Sequence, residues 1–365
     1  MQILKLKLIN YRNFISEEFN FSKYKNIIIG NNGMGKTNIV EAIYYLAITK
    51  SFRTFDDNVL VNIDKEFSTI KGDIYHNSKK EYKIVIEKNG KKVFIDSKQI
   101  NKISDYISKI NVIMFNQEDL KLIKANPSMH RKLINMEISQ LDNEYLKLLS
   151  DYNKVLKQRN TYLKSMLTNS MIPKEYLDIL TGKLIELGLK INVLRKNYID
   201  EINKYLNDNF KKITKKEGLY LKYISEYNDL TKEDLIKKYN QMYKKDLNYG
   251  KTNIGIHLDD FIFYYKNKMA KDYLSEGEQK NAVISFKLAE INIFYYQAKT
   301  MPILILDDLF SELDNQKINK IIKFLKKSIQ LFITTTDLDN IDEKILKNCR
   351  VFKLKDKKIE VKDYE

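Results

Sequence analysis

Residues 30–37 form a segment whose residue types and spacing suit phosphate binding. The letters GNNGMGKT match G-x-x-x-x-G-K-T, a pattern whose glycines let backbone N–H groups turn toward phosphate oxygens. A run ending in three isoleucines (Lys25–Ile29) precedes it and helical apolar spacing follows, which predicts strand, loop and helix. The lysine would contact the β- and γ-phosphates and act in catalysis, and the threonine would offer its hydroxyl to Mg²⁺. The predicted ATP contacts are Gly30, Asn31, Asn32, Gly33, Met34, Gly35, Lys36 and Thr37.

Two adjacent aspartates follow an apolar run near the end of the chain. Met301–Leu306 is almost wholly apolar, which predicts a strand buried on both faces of a parallel sheet. Such a strand would place Asp307 and Asp308 at its carboxyl end, where open α/β sheets bind ligands. We expect Asp307 to hold Mg²⁺ and Asp308 to orient or deprotonate the attacking water.

A third segment, LSEGEQK (residues 274–280), opens an amphipathic helical pattern. Its Ser275, Gly277 and Gln279 match residues of L-S-G-G-Q, and the segment resembles the signature of the ABC superfamily of ATPases. A hydroxyl and backbone N–H groups at a helix start suit an anion. The resemblance implies that these residues cap the γ-phosphate of ATP bound to a second copy, so that ATP closes a homodimer.

Two further segments resemble parts of the same superfamily. SELD (residues 311–314) resembles the loop that touches both nucleotides across the dimer, which makes Asp314 a predicted ATP contact. QLFITTTD (residues 330–337) predicts another buried strand, and it ends in Thr335 and Thr336 where many relatives place a switch histidine. A threonine hydroxyl can hydrogen-bond a phosphate but cannot carry a proton at neutral pH, so we expect slow hydrolysis.

The distance between the loop and the signature indicates the branch of the superfamily. Lys36 and Gly277 are 241 positions apart, longer than in transporter ATPases and far shorter than in SMC proteins with their long coiled coils. Apolar residues recur every three or four positions from Leu141 to Met166 and from Leu180 to Tyr198. This pattern predicts a short antiparallel helical hairpin with arms of roughly 30–40 Å. Arg159, inside the first stripe, is expected to anchor a carboxylate or a phosphate.

The chain resembles the RecF family of bacterial recombination mediators from residue 1 to about residue 355. Several strings beyond the ATPase motifs support the resemblance: LINYRNF (8–14), KSFRT (50–54), NQEDLKLIK (116–124), YNKVLKQRN (152–160), GIHLDD (255–260) and DDLFSELD (307–314). There are departures, since Gln117 stands where proline is usual and Leu258 where arginine is usual. Gln117 is interpreted as a counterpart of the glutamine that contacts the metal in other ABC ATPases.

The resemblance implies a function in DNA replication, recombination and the repair of DNA damage, including the SOS response. ATP would close a homodimer that clamps gapped or junction DNA, and with RecR and RecO it would help to load the RecA recombinase. Weak, DNA-dependent ATP hydrolysis would reset the clamp. The expected cofactors are therefore ATP and Mg²⁺, and the expected partners are DNA, a second copy, RecR and RecO.

Composition is consistent with this assignment. The 365 residues carry a formal net charge of +16, which suggests a polyanionic partner such as DNA. The N-terminal letters show no signal peptide, and no run of about 18 apolar residues predicts a membrane span. The single cysteine, Cys349, excludes an internal disulfide and fits the cytoplasm.

The expected fold is α/β, an ABC-type ATPase head with a split phosphate-loop sheet and a β-rich subdomain, interrupted by a helical arm. Residues 1–115 would hold the first half of the head with the phosphate loop, and 116–250 the arm with its hairpin. Residues 251–365 would return to the head with the signature, the aspartates and the switch strand. Glu81–Asp96 predicts a β-hairpin with an Asn89-Gly90 turn.

Two alternatives come from other classes of function. One is the ATPase subunit of a membrane transporter, which the long gap and the hairpin disfavour. The other is a nuclease-coupled ATPase, which would need a carboxylate-rich metal domain after the head. We do not expect this class, because the residues up to Glu365 leave too little sequence after the head for such a domain.

Overall fold

The computed structural model of the chain divides into two compact units. The structure describes residues 1–169, 171–309, 313, 315–325, 328–338, 341–355 and 358–364. The first unit joins residues 1–121 with residues 280–365, and the second comprises residues 122–279. The arm was expected at residues 116–250, whereas the second unit runs from Leu122 to Gln279.

The described strands and helices are numbered in chain order. The strands are β1 (Gln2–Tyr11), β2 (Phe14–Asn20), β3 (Lys25–Ile29), β4 (Phe67–His76), β5 (Ser78–Glu87), β6 (Gly90–Ile95), β7 (Lys98–Ile100), β8 (Val112–Asn116), β9 (Leu219–Ile224), β10 (Asp260–Tyr265), β11 (Lys268–Met269), β12 (Ile303–Asp307), β13 (Leu331–Thr335), β14 (Cys349–Lys355) and β15 (Lys358–Tyr364). The helices are α1 (Lys36–Ile48), α2 (Ile103–Tyr106), α3 (Pro127–Leu141), α4 (Asn143–Thr168), α5 (Glu175–Thr214), α6 (Lys232–Tyr249), α7 (Ala270–Tyr273), α8 (Glu276–Gln297), α9 (Asn315–Phe324) and α10 (Glu343–Leu346). Over the described residues, none of these helices is both long enough and apolar enough to span a bilayer.

A six-stranded sheet in the first unit contains the strands that lead to the predicted site. Its order is β15-β14-β3-β13-β12-β8, and all neighbours except β15 and β14 are parallel. β12 and β13 are buried along their whole length, which explains why both read as unbroken apolar runs. Because the strands are parallel, their carboxyl ends meet at one edge, and that edge holds the phosphate loop and the aspartates.

A second six-stranded sheet, antiparallel throughout, gives the first unit its β-rich part. Its order is β2-β1-β4-β5-β6-β7, and α1 contacts strands of both sheets. The predicted hairpin is present, but its turn lies one residue earlier than expected. Glu87 pairs with Gly90, so Lys88 and Asn89 form the two-residue turn and Gly90 begins β6 at φ 137°.

The predicted helical hairpin is formed by α4 and α5 in the second unit. Arg159 Nε donates to Thr181 Oγ1 at 2.9 Å, whereas Arg195 Nε donates to Tyr145 OH at 3.0 Å, so the two helices run antiparallel. Arg159 was expected to anchor a carboxylate or a phosphate. The structure confirms a carboxylate, because Arg159 Nη1 donates to the buried Asp246 at 2.9 Å.

Helix α5 is longer than the second arm of the hairpin that the sequence predicted. It has 40 residues, about 60 Å at 1.5 Å per residue, and continues past Tyr198 to Thr214. The extension remains apolar on one face, with Ile202, Leu206 and Phe210 buried, but its packing partner changes to β9. β9 pairs with β10 and β10 with β11, so residues 260–269 belong with the second unit.

Candidate nucleotide-binding site

The phosphate loop joins β3 to α1 as the sequence predicts. Gly33 and Gly35 have φ angles of 84° and 97°, a left-handed region that favours glycine. Gly35 also packs closely, because a Cβ there would lie 2.7 Å from Asn13 Nδ2. Helix α1 starts directly after Gly35, with no side-chain cap and no acidic residue in its first turn in the described structure. Its first N–H groups therefore present partial positive charge toward the loop.

The Lys36 side chain bends back over this loop. Its Nζ donates to the carbonyl oxygens of Gly30 at 2.6 Å and Asn31 at 3.2 Å. Burial lowers the pKa of Lys36, and the nearby carboxylates of Asp308 and Asp307 oppose that shift. An ammonium group held by neutral carbonyls inside a glycine loop is well placed to exchange them for phosphate oxygens.

Asp307 ends β12 beside the loop helix. Its Oδ1 accepts hydrogen bonds from Thr334 Oγ1 at 2.6 Å and from Thr37 Oγ1 at 3.2 Å. Burial raises the pKa of Asp307, while the hydrogen bonds from Thr334 and Thr37 lower it. The structure thus brings together the hydroxyl and the carboxylate that the sequence assigned to one metal.

Asp308 is oriented from two neighbouring strands. Its backbone has φ 52°, a left-handed conformation that aspartate tolerates better than most residues. Its N–H donates to Thr334 Oγ1 at 2.9 Å, and Gln117 Nε2 donates to its carboxylate Oδ2 and to its carbonyl oxygen, both at 2.9 Å. Gln117 comes directly after β8, which pairs with β12, so the sheet itself places these groups side by side.

A buried carboxylate beneath the loop helix was not predicted. Glu41, on α1, is fully buried, and it accepts hydrogen bonds from Arg12 Nε and Nη2 at 3.0 and 2.8 Å and from Ser51 Oγ at 2.6 Å. Arg53 lies 3.6 Å from the same carboxylate and donates to Asn38 Oδ1 at 2.9 Å. These contacts explain why LINYRNF and KSFRT accompany the phosphate loop. An acid inside an otherwise apolar helix was the signal that could have revealed them.

The threonines that end β13 divide into different roles. Thr334 bonds both aspartates as described above, although only Thr335 and Thr336 were singled out from the sequence. Thr335 is buried at the end of the strand, and Thr336 is exposed and donates to Asp337 Oδ2 at 2.9 Å. Asp314 lies outside the described residues, as do Ser311 and Glu312.

The signature residues Ser275, Gly277 and Gln279 belong to the second unit. Gln279 was expected to contact a nucleotide, but its side chain bonds the backbone of the preceding turn. Gln279 is 7% exposed, and its Nε2 donates to the carbonyl oxygen of Leu274 at 2.8 Å, so it holds the turn before α8. Counted without a gap, the fifth residue of the pattern is Glu278, which bonds Ser275. Ser275 and Gly277 lie at the exposed start of the helix.

His257 is held as a structural residue. Its ring nitrogens contact Tyr152 OH at 2.8 Å and the Thr252 carbonyl oxygen at 3.1 Å, and burial lowers its pKa. The neighbouring Leu258, where the resemblance expected arginine, is half exposed.

A mainly parallel sheet that carries a phosphate loop, paired aspartates and a glutamine at one edge, in a chain with an inserted helical arm, defines an ABC-type ATPase head. Comparisons with known proteins agree. Residues 2–360 match the family model of the RecF/RecN/SMC N-terminal domain. The Smc head domain of Pyrococcus furiosus shares the fold at 16% identity and a TM-score of 0.55, over 99% of this chain and 96% of that one.

Proteins with higher sequence identity show which group within this family the chain belongs to. DNA replication and repair protein RecF of Ligilactobacillus salivarius is 36% identical over 98% of this chain and 97% of the relative. RecF of Bacillus subtilis is 36% identical over 97% of this chain and 98% of the relative. The solved structure of the recombination mediator protein RecF-ATP in the RecFOR pathway has a TM-score of 0.90 and 27% identity, over 99% of this chain and 97% of that one. The chain therefore belongs to the RecF/RecN/SMC family, and within it to the RecF group of DNA replication and repair proteins.

Proposed function

We propose that this chain is an ATP-dependent, DNA-binding recombination mediator. The observation that carries the proposal is the convergence of Lys36, Thr37, Asp307 and Asp308 at one edge of the parallel sheet. A relative of the same fold is described as RecF-ATP in the RecFOR pathway, which supports ATP as the nucleotide. ATP would lie along the loop from Gly30 to Thr37, with Lys36 contacting the β- and γ-phosphates.

The residues around Asp307 fit a magnesium ion. Thr37 Oγ1 and Asp307 Oδ1 are 3.2 Å apart. This is near the separation of about 3 Å between neighbouring oxygen ligands of octahedral Mg²⁺. Thr37 and Asp307 would hold the ion, and Gln117 would contact it through Oε1, because its Nε2 donates to Asp308. A bound Mg²⁺ would neutralise charge on the phosphate oxygens.

Asp308 is the proposed group that orients or deprotonates the attacking water. Thr334 and Gln117 hold its backbone and its carboxylate, so little reorganisation is needed when water enters. The switch position carries Thr335 and Thr336, whose hydroxyls cannot carry a proton at neutral pH. This favours slow hydrolysis, which would set how long the closed state lasts. The proposed enzymatic activity is accordingly a weak, DNA-dependent ATPase.

The proposed active form is a homodimer closed by ATP. Ser275 and Gly277 at the start of α8 would meet the γ-phosphate bound to the other copy, with Asp314 near both nucleotides. Gln279 would support this contact by holding the turn before the helix. The net charge of +16 suits the closed form to clamp duplex DNA at a gap or junction. Together with RecO and RecR, it would help to load RecA in the cytoplasm.

The test measures RecA assembly on gapped DNA coated with single-strand binding protein, with RecO and RecR present. Adding this protein with ATP should accelerate RecA assembly, and a Lys36→Met variant should not, because it lacks the ammonium that binds the phosphates. Equal assembly rates with the wild type, the variant and no added protein would contradict the mediator function.

A further inference from the structure

The start of the signature helix is held by a carboxylate of its own. Ser275 donates to Glu278 Oε2 twice, through its backbone N–H and through Oγ, both at 2.9 Å. This is a reciprocal helix cap, since the Glu278 N–H also points to Ser275 Oγ at 3.4 Å. The other oxygen of Glu278, Oε1, accepts a hydrogen bond from Lys216 Nζ. Both oxygens of one carboxylate are therefore engaged, one by the signature serine and one by a lysine from elsewhere in the second unit.

Lys216 extends from a fixed turn. Helix α5 ends at Thr214, and Lys215 follows in the left-handed conformation at φ 66°. The Lys216 N–H donates to Thr214 Oγ1 at 3.1 Å, and two residues later the Gly218 N–H donates to Asn207 Oδ1 at 2.7 Å. The backbone on both sides of Lys216 is thus tied to the last turns of the arm helix. The hydrogen bond between the two side chains raises the pKa of Lys216 and lowers that of Glu278.

The pair contributes little to folding. The Lys216 side chain is 52% exposed and that of Glu278 is 21% exposed. Ion pairs with such exposure add little to the stability of a fold, because solvent and salt screen the attraction between the two charges. What the pair does change is the charge at the start of α8, because Lys216 places a positive charge on Glu278.

The charge of Glu278 conflicts with the task proposed for Ser275. A γ-phosphate that meets the signature would come close to a carboxylate that bonds the same serine. Glu276 adds a second negative charge to the first turn of α8, where the positive end of the helix dipole would otherwise favour an anion. Like charges brought together as an interface closes cost binding free energy unless a cation offsets them.

We propose that Lys216 is a positioning residue for ATP-dependent dimer closure: it neutralises Glu278 and so allows the signature to approach the phosphates bound to a second copy. The inference rests on the proposed function, because it requires that ATP closes a homodimer. It also gives the end of the helical arm a role in that closure, since the lysine belongs to the turn that ends α5.

The test measures the dimer dissociation constant by sedimentation in Mg²⁺ and a non-hydrolysable ATP analogue. Lys216→Ala should weaken the dimer about tenfold, whereas Lys216→Arg should stay near the wild type. Lys211→Ala is the matched control, because Lys211 forms an exposed ion pair with Glu217 near the same helix end and does not touch the signature. Binding of the nucleotide to the monomer and the melting temperature should be unchanged in all three variants.

If Glu278 loses its negative charge, Lys216 should no longer be needed for dimerisation. Glu278→Gln should dimerise at least as well as the wild type, and Lys216→Ala combined with Glu278→Gln should match Glu278→Gln within about twofold. If the wild type dimerises and Lys216→Ala does so equally well, or if the double variant is as weak as Lys216→Ala, the role of Lys216 is wrong and the proposed function stands. A wild type that stays monomeric would overturn both.

Discussion

Gln117 donates through one nitrogen, Nε2, to both the carboxylate and the carbonyl oxygen of Asp308, at 2.9 Å each. A residue after β8 therefore fixes the side chain and the backbone of the residue that follows β12. Thr334, from β13, bonds the Asp308 N–H and so completes the support. The proposed water-orienting carboxylate is thus positioned by its two neighbouring strands.

Substitution of Gln117 tests this support. Gln117→Ala should lower kcat for ATP hydrolysis about tenfold, because Asp308 would lose the donor that orients its carboxylate. Affinity for the nucleotide should fall less than kcat, since the phosphate loop is untouched and Thr37 and Asp307 would still hold the proposed Mg²⁺. Steady-state kinetics with a coupled ATPase assay would separate the two effects. Lys121→Ala, an exposed change on the turn after β8, is the control, and an unchanged kcat in Gln117→Ala would contradict the proposed role.

Thr334 offers a second test with a conservative pair of variants. Thr334→Val keeps the shape but removes the hydroxyl that bonds both aspartates, so buried polar groups lose their partner. We expect the free energy of unfolding to fall by about 1–3 kcal/mol and ATP hydrolysis to fall at least tenfold. Thr334→Ser retains the hydroxyl and should keep most of the activity. Urea denaturation and ATPase assays on both variants measure the difference, and similar activity in the two would count against the hydroxyl.

Substitution of Ser275 should prevent dimer closure but leave nucleotide binding intact. Ser275→Arg places a bulky cation at the start of α8, in the second unit, while the phosphate loop belongs to the first. ATP binding measured by calorimetry should remain near the wild-type value, and the ATP-induced increase in mass measured by light scattering should disappear. A Ser275→Arg variant that still dimerises with ATP would show that this segment is not part of the interface.

The buried Glu290 gives the protein a predictable dependence of stability on pH. Its Oε2 lies 3.1 Å from Lys287 Nζ, and burial raises the pKa of Glu290 from 4.5 to about 7 against the attraction of Lys287. Between about pH 4.5 and about pH 7, Glu290 is therefore protonated in the folded state and ionised in the unfolded state. The free energy of unfolding should fall as the pH rises from about 4.5 to about 7, by about 1–3 kcal/mol from this group.

Glu290→Gln should remove that slope, because the amide does not titrate. Urea midpoints between pH 5 and pH 8 would measure it, with the exposed Glu276→Gln as the control that keeps the wild-type slope. Parallel pH profiles for the wild type and Glu290→Gln would mean that Glu290 titrates at its ordinary value.

Much of the site could be predicted because each motif follows a short apolar strand. The runs before Gly30 and Asp307 are buried strands of one parallel sheet, so local sequence sufficed to place both ends at the same edge. The role of Thr334 could not be predicted in this way. It depends on the register between β12 and β13, which pairs Asp307 with Thr334, and no local pattern encodes the alignment of two strands distant in sequence.

Side-chain direction and packing partners explain the other differences. Gln279 was expected to face a nucleotide, yet it points into the turn before α8, where it bonds the Leu274 carbonyl oxygen. The apolar stripe of α5 was expected to end at Tyr198 with the hairpin. It continues because the helix exchanges one partner, α4, for another, β9, and apolar spacing does not distinguish the two.

Binding to a fluorescent gapped DNA duplex most directly tests the proposal that ATP closes a clamp on DNA. Anisotropy would be recorded with ATP, with ADP and without nucleotide, each at two salt concentrations. Tight binding that requires ATP and weakens as salt rises is the expected result. Binding of the same strength in all three nucleotide conditions would mean that the positive charge acts without the ATPase, and it would contradict the proposed clamp.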